Sequence, residues 1–222
     1  MAKVESLGTL TYFPLFAKGL APALCAEMSG LPWKSNTDTG FGFSQWQDLK
    51  ASGKAPFGQL PILETDAGFV IGQSVAICNY IGRVGGIEGK DDGEFAMSQM
   101  LLAEGEDLYN LMQKYQPTKF VTSKSEDNKK FWAEVAPGEF KKLEGLLAKA
   151  PGDGFTSSKT TVGELYLFAM LHQMVLVAPE CFASSPGLQK FYDTTKALPG
   201  VAKVLAGESA FGQMDQYFIS AE

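Results

Sequence analysis

Apolar positions follow two rhythms in this chain: short runs and alternations mixed with helical spacing up to residue 84, and helical spacing alone from residue 94 onward. Ser6 to Phe13 sets Leu7, Thr9, Thr11 and Phe13 against Gly8, Leu10 and Tyr12, a strand apolar on both faces and so a central one. After Pro14, Phe16, Leu20, Leu24 and Met28 recur four residues apart, with Ala17 and Ala21 widening the stripe. A helix is predicted to about Gly30, kinked at its interior Pro22. Trp33 to Thr37 reads as a second strand. A short helix before Pro56 is capped by Ser44 and carries Trp46 and Lys50 on one face.

The stretch from Phe57 to Gly86 predicts a hairpin followed at once by a helix. Ile62 and Leu63 form one strand, Asp66, Ala67 and Gly68 the turn, and Phe69 to Ile71 the return strand. Gly72 and Gln73 break the strand, Ser74 is the expected N-cap, and Ala76, Ile77, Tyr80, Ile81 and Val84 recur at helical spacing until Gly85 and Gly86. Pro61 heads its strand, where a missing N–H matters least and a cis bond can reverse the chain. The main chain of Leu60 is left to pair with an extended peptide, and the helix start at Ser74 favours a carboxylate, so the unit suits a small acidic peptide. By spacing alone, a hairpin packed on a capped helix with no ligand is the preferred reading.

Residues 85–93, rich in glycine and charge, read as a linker between a domain at 1–84 and one at 94–222. The second domain is predicted all-helical. Glu94 to Tyr115 forms one helix, lined by Met97, Met100, Leu101, Ala103, Leu108, Leu111 and Met112 and ended by Pro117. A second covers about 126–150 with an interruption at Pro137 and Gly138, and a turn cluster follows at Pro151 to Gly154. Thr161 to Glu164 has capping-box spacing before Leu165 to Val177, the most buried helix predicted. Shorter helices follow near Leu188 to Ala197 and from Pro199 or Gly200.

Composition narrows the function classes. The net charge of −6 and the pI near 5.0 argue against a nucleic-acid partner, and Arg83 is the only arginine, so lysine and backbone must recognise any anion. No apolar run is long enough to span a membrane, and Met1 to Gly8 lacks the features of a signal peptide, so a cytoplasmic protein is expected. Cys25, Cys78 and Cys181 read as buried thiols rather than disulfides, and with the single His172 they give no metal-ligand set.

Several motifs in order resemble the soluble glutathione transferases, sigma-class-like: GQLPILE followed by QSVAICNYI, Leu10 to Phe13 at a strand end, and Trp46 with Lys50 at the W-x-x-x-K spacing. The resemblance covers residues 9–108 in detail and, beyond them, Thr161 to Glu164 and the helical pattern. It implies a thioredoxin-like α/β domain followed by an all-α domain. It also implies Tyr12 as catalytic residue and a glutathione site of Phe13, Trp46, Lys50, Gly58, Gln59, Leu60, Pro61, Gln73 and Ser74. Asp107 aligns with an acid that reaches the ligand of a second subunit, which implies a homodimer, and Tyr109 and Met112 are candidate walls of a pocket for a hydrophobic electrophile.

The implied chemistry is thiol activation. A thiol of pKa about 8.5 is mostly protonated at neutral pH, whereas a phenol of pKa about 10 keeps its proton and can donate it to sulfur, favouring the thiolate. The implied enzyme adds glutathione to an electrophile, as in detoxification, or uses it in peroxide reduction or isomerisation. Without the resemblance, Tyr12 reads as a core aromatic, Trp46 and Lys50 as a helix anchor, and Glu104, Glu106 and Asp107 as a solvated face. Leu20 and Pro22 stand where the family usually has an arginine and a glutamate, Lys18 being a possible substitute. That departure keeps open a catalytically weak binding or structural protein, or a subunit of a larger assembly.

Overall fold

The computed structural model describes residues 4–37, 40–122, 125–152, 154–157 and 160–220, the side chain of Ser125 excepted. Met1 to Lys3 and Asp153 of the expected turn cluster lie outside the described residues. The chain separates into two compact units, one of residues 1–88 with 198–215 and one of residues 89–197 with 216–222. The tail segment 198–215, counted with the helical half in the sequence, thus folds with the first unit.

The first unit is the expected thioredoxin-like α/β arrangement. Strands β1 (Thr9–Thr11), β2 (Lys34–Ser35), β3 (Ile62–Glu64) and β4 (Val70–Gly72) form one sheet in the order β2-β1-β3-β4. β1 runs parallel to β2 and antiparallel to β3, with Leu10 opposite Leu63, so it is central as its two apolar faces predict. Helix α1 (Leu20–Met28) packs against α3 (Ser74–Gly85) and against α9 (Pro199–Leu205), where Lys203 Nζ bonds Glu27 Oε1 at 2.6 Å. The expected kink at Pro22 does not arise. α1 begins at Leu20, so Pro22 sits in the first turn, where its missing N–H would have had no helical partner. Ser44 likewise is not a cap. α2 (Phe43–Ala51) is capped at Gly42, whose N–H donates to Gln45 Oε1 at 3.1 Å.

The second unit is all-helical. α4 (Asp92–Tyr115) is capped by Asp91, which accepts from the Glu94 N–H, and it packs along α7 (Val162–Val177). The face of α4 that turns inward differs from the expected stripe: Glu94, Ser98, Leu101, Gly105, Leu108 and Met112 are buried, whereas Met100 is 56 % exposed. Small residues explain the shift. A Cβ added to Gly163 would lie 2.1 Å from the Ser98 carbonyl oxygen, and one added to Gly105 would lie 2.7 Å from the Tyr166 ring, so the helices touch where side chains are smallest. The predicted helix over 126–150 is divided into α5 (Ser125–Lys130), a π-helical stretch Phe131–Val135, and α6 (Ala136–Leu147), with Pro137 in the first turn of α6. Widening the turn before Pro137 is one way a helix accommodates a residue without an N–H.

The capping box forms as predicted. Thr161 Oγ1 accepts from the Glu164 N–H at 3.4 Å, and Glu164 Oε2 accepts from the Thr161 N–H at 2.9 Å. The same carboxylate also takes the N–H groups of Phe155 and Thr156 at 2.9 and 3.1 Å, which satisfies its burial at 3 % exposure. α8 (Pro186–Lys196) completes the unit. No helix among the described residues is long and apolar enough to cross a membrane.

His172 on α7 stacks with Phe168 and with Tyr192 of α8, whose hydroxyl lies 3.0 Å from its Nδ1. Burial, with a smaller push from Lys196, lowers its pKa from the ordinary value to about 4. Above about pH 6.5 the ring is neutral folded and unfolded, and below that the unfolded chain binds a proton that the folded one refuses, so stability falls as pH drops. This one group is expected to withdraw about 3 kcal/mol between pH 6.5 and 4. His172→Phe, which keeps the ring stack, should flatten that part of the curve in urea unfolding followed across pH. Identical pH slopes in the two proteins would refute the assignment.

Candidate functional site

β1 delivers Tyr12 to the sheet's end with the ring almost wholly covered, 9 % of its surface remaining exposed. The ring lies against Gly19, where an added Cβ would sit 2.4 Å from its Cδ1. Between them the chain makes a tight turn in which the Lys18 N–H donates to the Tyr12 hydroxyl oxygen at 3.3 Å. Ala17 adopts φ +22°, a backbone conformation that L-residues seldom take. The tail holds this turn from outside: the Phe16 N–H donates to the Asp215 carbonyl and the Asp215 N–H to the Pro14 carbonyl, both at 2.9 Å.

From Tyr12 the predicted residues of the first unit follow one another in contact. Phe13 meets Tyr12 edge-on at 6.0 Å between ring centroids and Trp46 at 6.5 Å, while Phe41 backs it at 5.7 Å. The Lys50 ammonium stands 5.9 Å from the Trp46 ring centre, and its stem passes 3.7 Å from a Cβ added at Gly58. The next residue, Gln59, accepts at Oε1 from Gln73 Nε2 at 3.2 Å. The Leu60–Pro61 peptide is cis, and Leu60, outside β3, takes no part in the ladder between β1 and β3.

Gln73 and Ser74 close the string, with one difference from the sequence reading. The N-cap of α3 is Gln73, and Ser74 is the first helical residue, 5 % exposed. Gln73 has φ +70° and ψ 118°, a conformation rare for a non-glycine residue and more often kept at ligand sites than elsewhere. This strained junction sets Gln73, exposed and bonded to Gln59, immediately before the first N–H groups of α3, where the helix dipole favours an anion. Lys50, exposed on α2, adds a positive charge in the middle of the string, between Trp46 and Gly58. Two separate anion-favouring points, the Lys50 ammonium and the start of α3, suit a short peptide with two carboxylates.

The candidates in the second unit are more varied. Asp107 is exposed on α4, in a cleft bordered by Glu104, Asn110, Leu111, Lys114, Glu139 and Lys142. Burial raises the Glu104 carboxyl above its usual range, and the neighbouring Glu139 and Asp107 add to it against the pull of Lys142. Tyr109 packs edge-on to Phe218 at 5.6 Å and keeps a little exposed surface, whereas Met112 is completely buried and acts as core. Cys25 and Cys78 are also fully buried; the Cys78 thiol is pushed up by burial and then by its contact with Cys25, which leaves it a poor nucleophile. Among the described residues no three His, Cys, Asp or Glu side chains are grouped to hold a metal ion.

Two features escaped the sequence reading. Asp215 acts through its main chain and lies far from Tyr12 in sequence, so no spacing could signal it. Lys18 was considered for its side chain, yet the contact seen is its backbone N–H.

The profile of the glutathione S-transferase N-terminal domain matches residues 9–83, and that of the C-terminal domain matches residues 106–208. The chain is 30 % identical to glutathione S-transferase 1 of Ascaris suum over 203 residues, which covers 89 % of this chain and 94 % of that protein. It is 26 % identical to glutathione S-transferase P of Homo sapiens over 200 residues, 89 % of this chain and 91 % of the other. Among solved structures, the glutathione S-transferase from Ascaris lumbricoides superposes with a TM-score of 0.72 at 26 % identity, over 90 % of this chain and 96 % of that one.

The packing of Tyr12 on Gly19 is open to test. Gly19 has φ −85°, which alanine adopts freely, so Gly19→Ala acts chiefly through the clash with the ring, with a tighter approach to the Leu15 carbonyl oxygen, at 3.1 Å, beside it. Overpacking of this kind is expected to lower stability by about 1–3 kcal/mol in urea unfolding and to alter the tyrosine environment in near-ultraviolet circular dichroism. Unchanged stability and spectrum would show that the ring is not held against this helix start.

Proposed function

Since this chain belongs to the glutathione S-transferase family, we propose that it is an enzyme in which Tyr12 activates the glutathione thiol for attack on an electrophilic small molecule. The observation that carries the reading is the position of the Tyr12 hydroxyl: at the end of a strand bonded on both edges and at the head of the contact string that runs to Ser74. In this reading Tyr12 Oη donates a hydrogen bond to sulfur, the thiol proton leaves to solvent, and the thiolate forms the S–C bond. In a substitution the leaving group departs with the electron pair of its bond. Tyr12 is a hydrogen-bond donor here and not a base, because a phenol of pKa about 10 is protonated at neutral pH.

The remaining roles follow from what each group can do. The Leu60 main chain, outside the ladder, pairs with the cysteinyl part of the ligand as an added strand would, next to Pro61 and Gly58. Gln73 and Ser74 at the start of α3 hold the γ-glutamyl carboxylate, with Gln59 bracing Gln73. Trp46 and Lys50 meet the glycyl carboxylate, and Phe13 packs between Tyr12 and Trp46. Asp107, exposed and acidic, is assigned to the γ-glutamyl amine bound by a second copy of the chain, which makes the active form a homodimer. Tyr109 is the residue of α4 assigned to the electrophile pocket, whereas Met112 is fully buried.

Two substitutions should separate activation from binding. Tyr12→Phe keeps the ring, so glutathione affinity should change little, while the pKa of the bound thiol, followed by thiolate absorbance, should rise by about one to two units. Ser74→Ala should do the reverse, weakening glutathione in calorimetry by roughly tenfold, the worth of one hydrogen bond to a charged group, with little change in thiol pKa. If both proteins titrate and bind like the wild type, the thiol is activated elsewhere and this site is not its own. The assembly is checked separately: sedimentation should give a dimer, and a monomer at micromolar concentration with full turnover would rule out the role given to Asp107.

A further inference from the structure

The turn between β1 and α1 is built in a way that packing alone does not require. Ala17 is buried, 2 % exposed, and is held at φ +22° in place of an easier conformation. An L-residue stays in such a region when its surroundings over-determine it, and such residues gather at functional sites. Here the surroundings are named. Asp215 brackets Leu15 with two main-chain bonds, the Gly19 and Leu20 N–H groups both donate to the Phe16 carbonyl, and the Leu15 N–H donates to the Phe13 carbonyl at 2.7 Å. The product of these constraints is one directed donor, the Lys18 N–H, aimed at the Tyr12 hydroxyl oxygen at 3.3 Å.

We infer that the Lys18 backbone N–H is a positioning and polarising donor for Tyr12, held in place by the Ala17 turn and the Asp215 main-chain clasp. The inference rests on the proposed role of Tyr12 as thiol activator. A hydroxyl can accept at oxygen while donating its own proton, and accepting a bond makes it a better donor, because each bond polarises the next. As the thiolate forms, the phenol oxygen gains partial negative charge, which the Lys18 N–H meets at no reorganisation cost. The main chain thus supplies support at Tyr12 in a chain whose only arginine, Arg83, is bonded to Glu88.

A single-atom exchange tests this. Lys18→Ala and Lys18→lactic acid, the latter introduced by nonsense suppression, share the same methyl side chain and differ only in that an ester oxygen replaces the N–H. Relative to Lys18→Ala, the ester should raise the pKa of the bound glutathione thiol by about half to one unit and lower kcat/KM for conjugation at pH 6.5 about three- to tenfold. Glutathione affinity should stay within about twofold, as expected of a group that acts through Tyr12. Equal thiol pKa values in the two proteins would overturn the inference.

A second measurement does not depend on the ester protein folding. In the nuclear magnetic resonance spectrum the Lys18 amide proton should move upfield in Tyr12→Phe, which removes its acceptor; an unmoved resonance would also overturn the inference. The two readings fail separately. If Tyr12→Phe leaves the thiol pKa unchanged, the proposed function is wrong, whereas if Tyr12→Phe raises it and the ester does not, only the role of Lys18 is wrong.

Discussion

The candidate site depends on β1 being hydrogen-bonded along both edges. Pairing with β2 on one side and β3 on the other fixes Thr9 to Thr11, so Tyr12 leaves the sheet from a rigid origin and has one direction to take. Everything that follows in the chain accommodates that exit. The turn through Ala17 brings α1 back under the ring, Gly19 gives the ring room, and the tail at Asp215 closes the turn from outside. β3, on the other edge of β1, carries the cis Leu60–Pro61 junction to the same end of the sheet, because an antiparallel neighbour begins where β1 finishes.

The helical unit is organised by a buried charge and by missing side chains. Glu164 is an almost fully covered carboxylate whose isolated burial would be prohibitive, and the N–H groups of Phe155, Thr156 and Thr161, together with two threonine hydroxyls, compensate it. This fixes the start of α7. From there, Gly163 on Ser98 and Tyr166 on Gly105 set how closely α4 approaches, and Tyr166 anchors the contact by donating from its hydroxyl to Glu106 at 2.7 Å. The orientation of α4, and with it the surface that exposes Asp107 and buries Met112, follows from these contacts.

The sequence by itself determined the order of elements, the α/β and all-helical halves, the capping box at Thr161 and Glu164, and the family, because these depend on local spacing, turn chemistry and residues close together in the chain. It misjudged three boundaries for one reason. Whether Pro22 kinks α1, and whether Ser44 or Ser74 caps a helix, turns on which residue starts the helix, and a shift of one or two positions reverses the answer. It also read the buried face of α4 from the count of apolar residues, whereas the close contact with α7 selected the small ones.

Only the tertiary structure decided how the site residues meet. Gln59 with Gln73, Lys50 with Gly58, and Tyr12 with Gly19 are contacts between separate elements, made after the sheet and helices have packed. The same holds for the tail at Asp215 and for the Lys18 N–H, which act through main-chain groups that every residue but proline carries. Side-chain chemistry leaves a mark in the letters of a sequence; the direction of a backbone N–H does not, because it is set by the path of the folded chain.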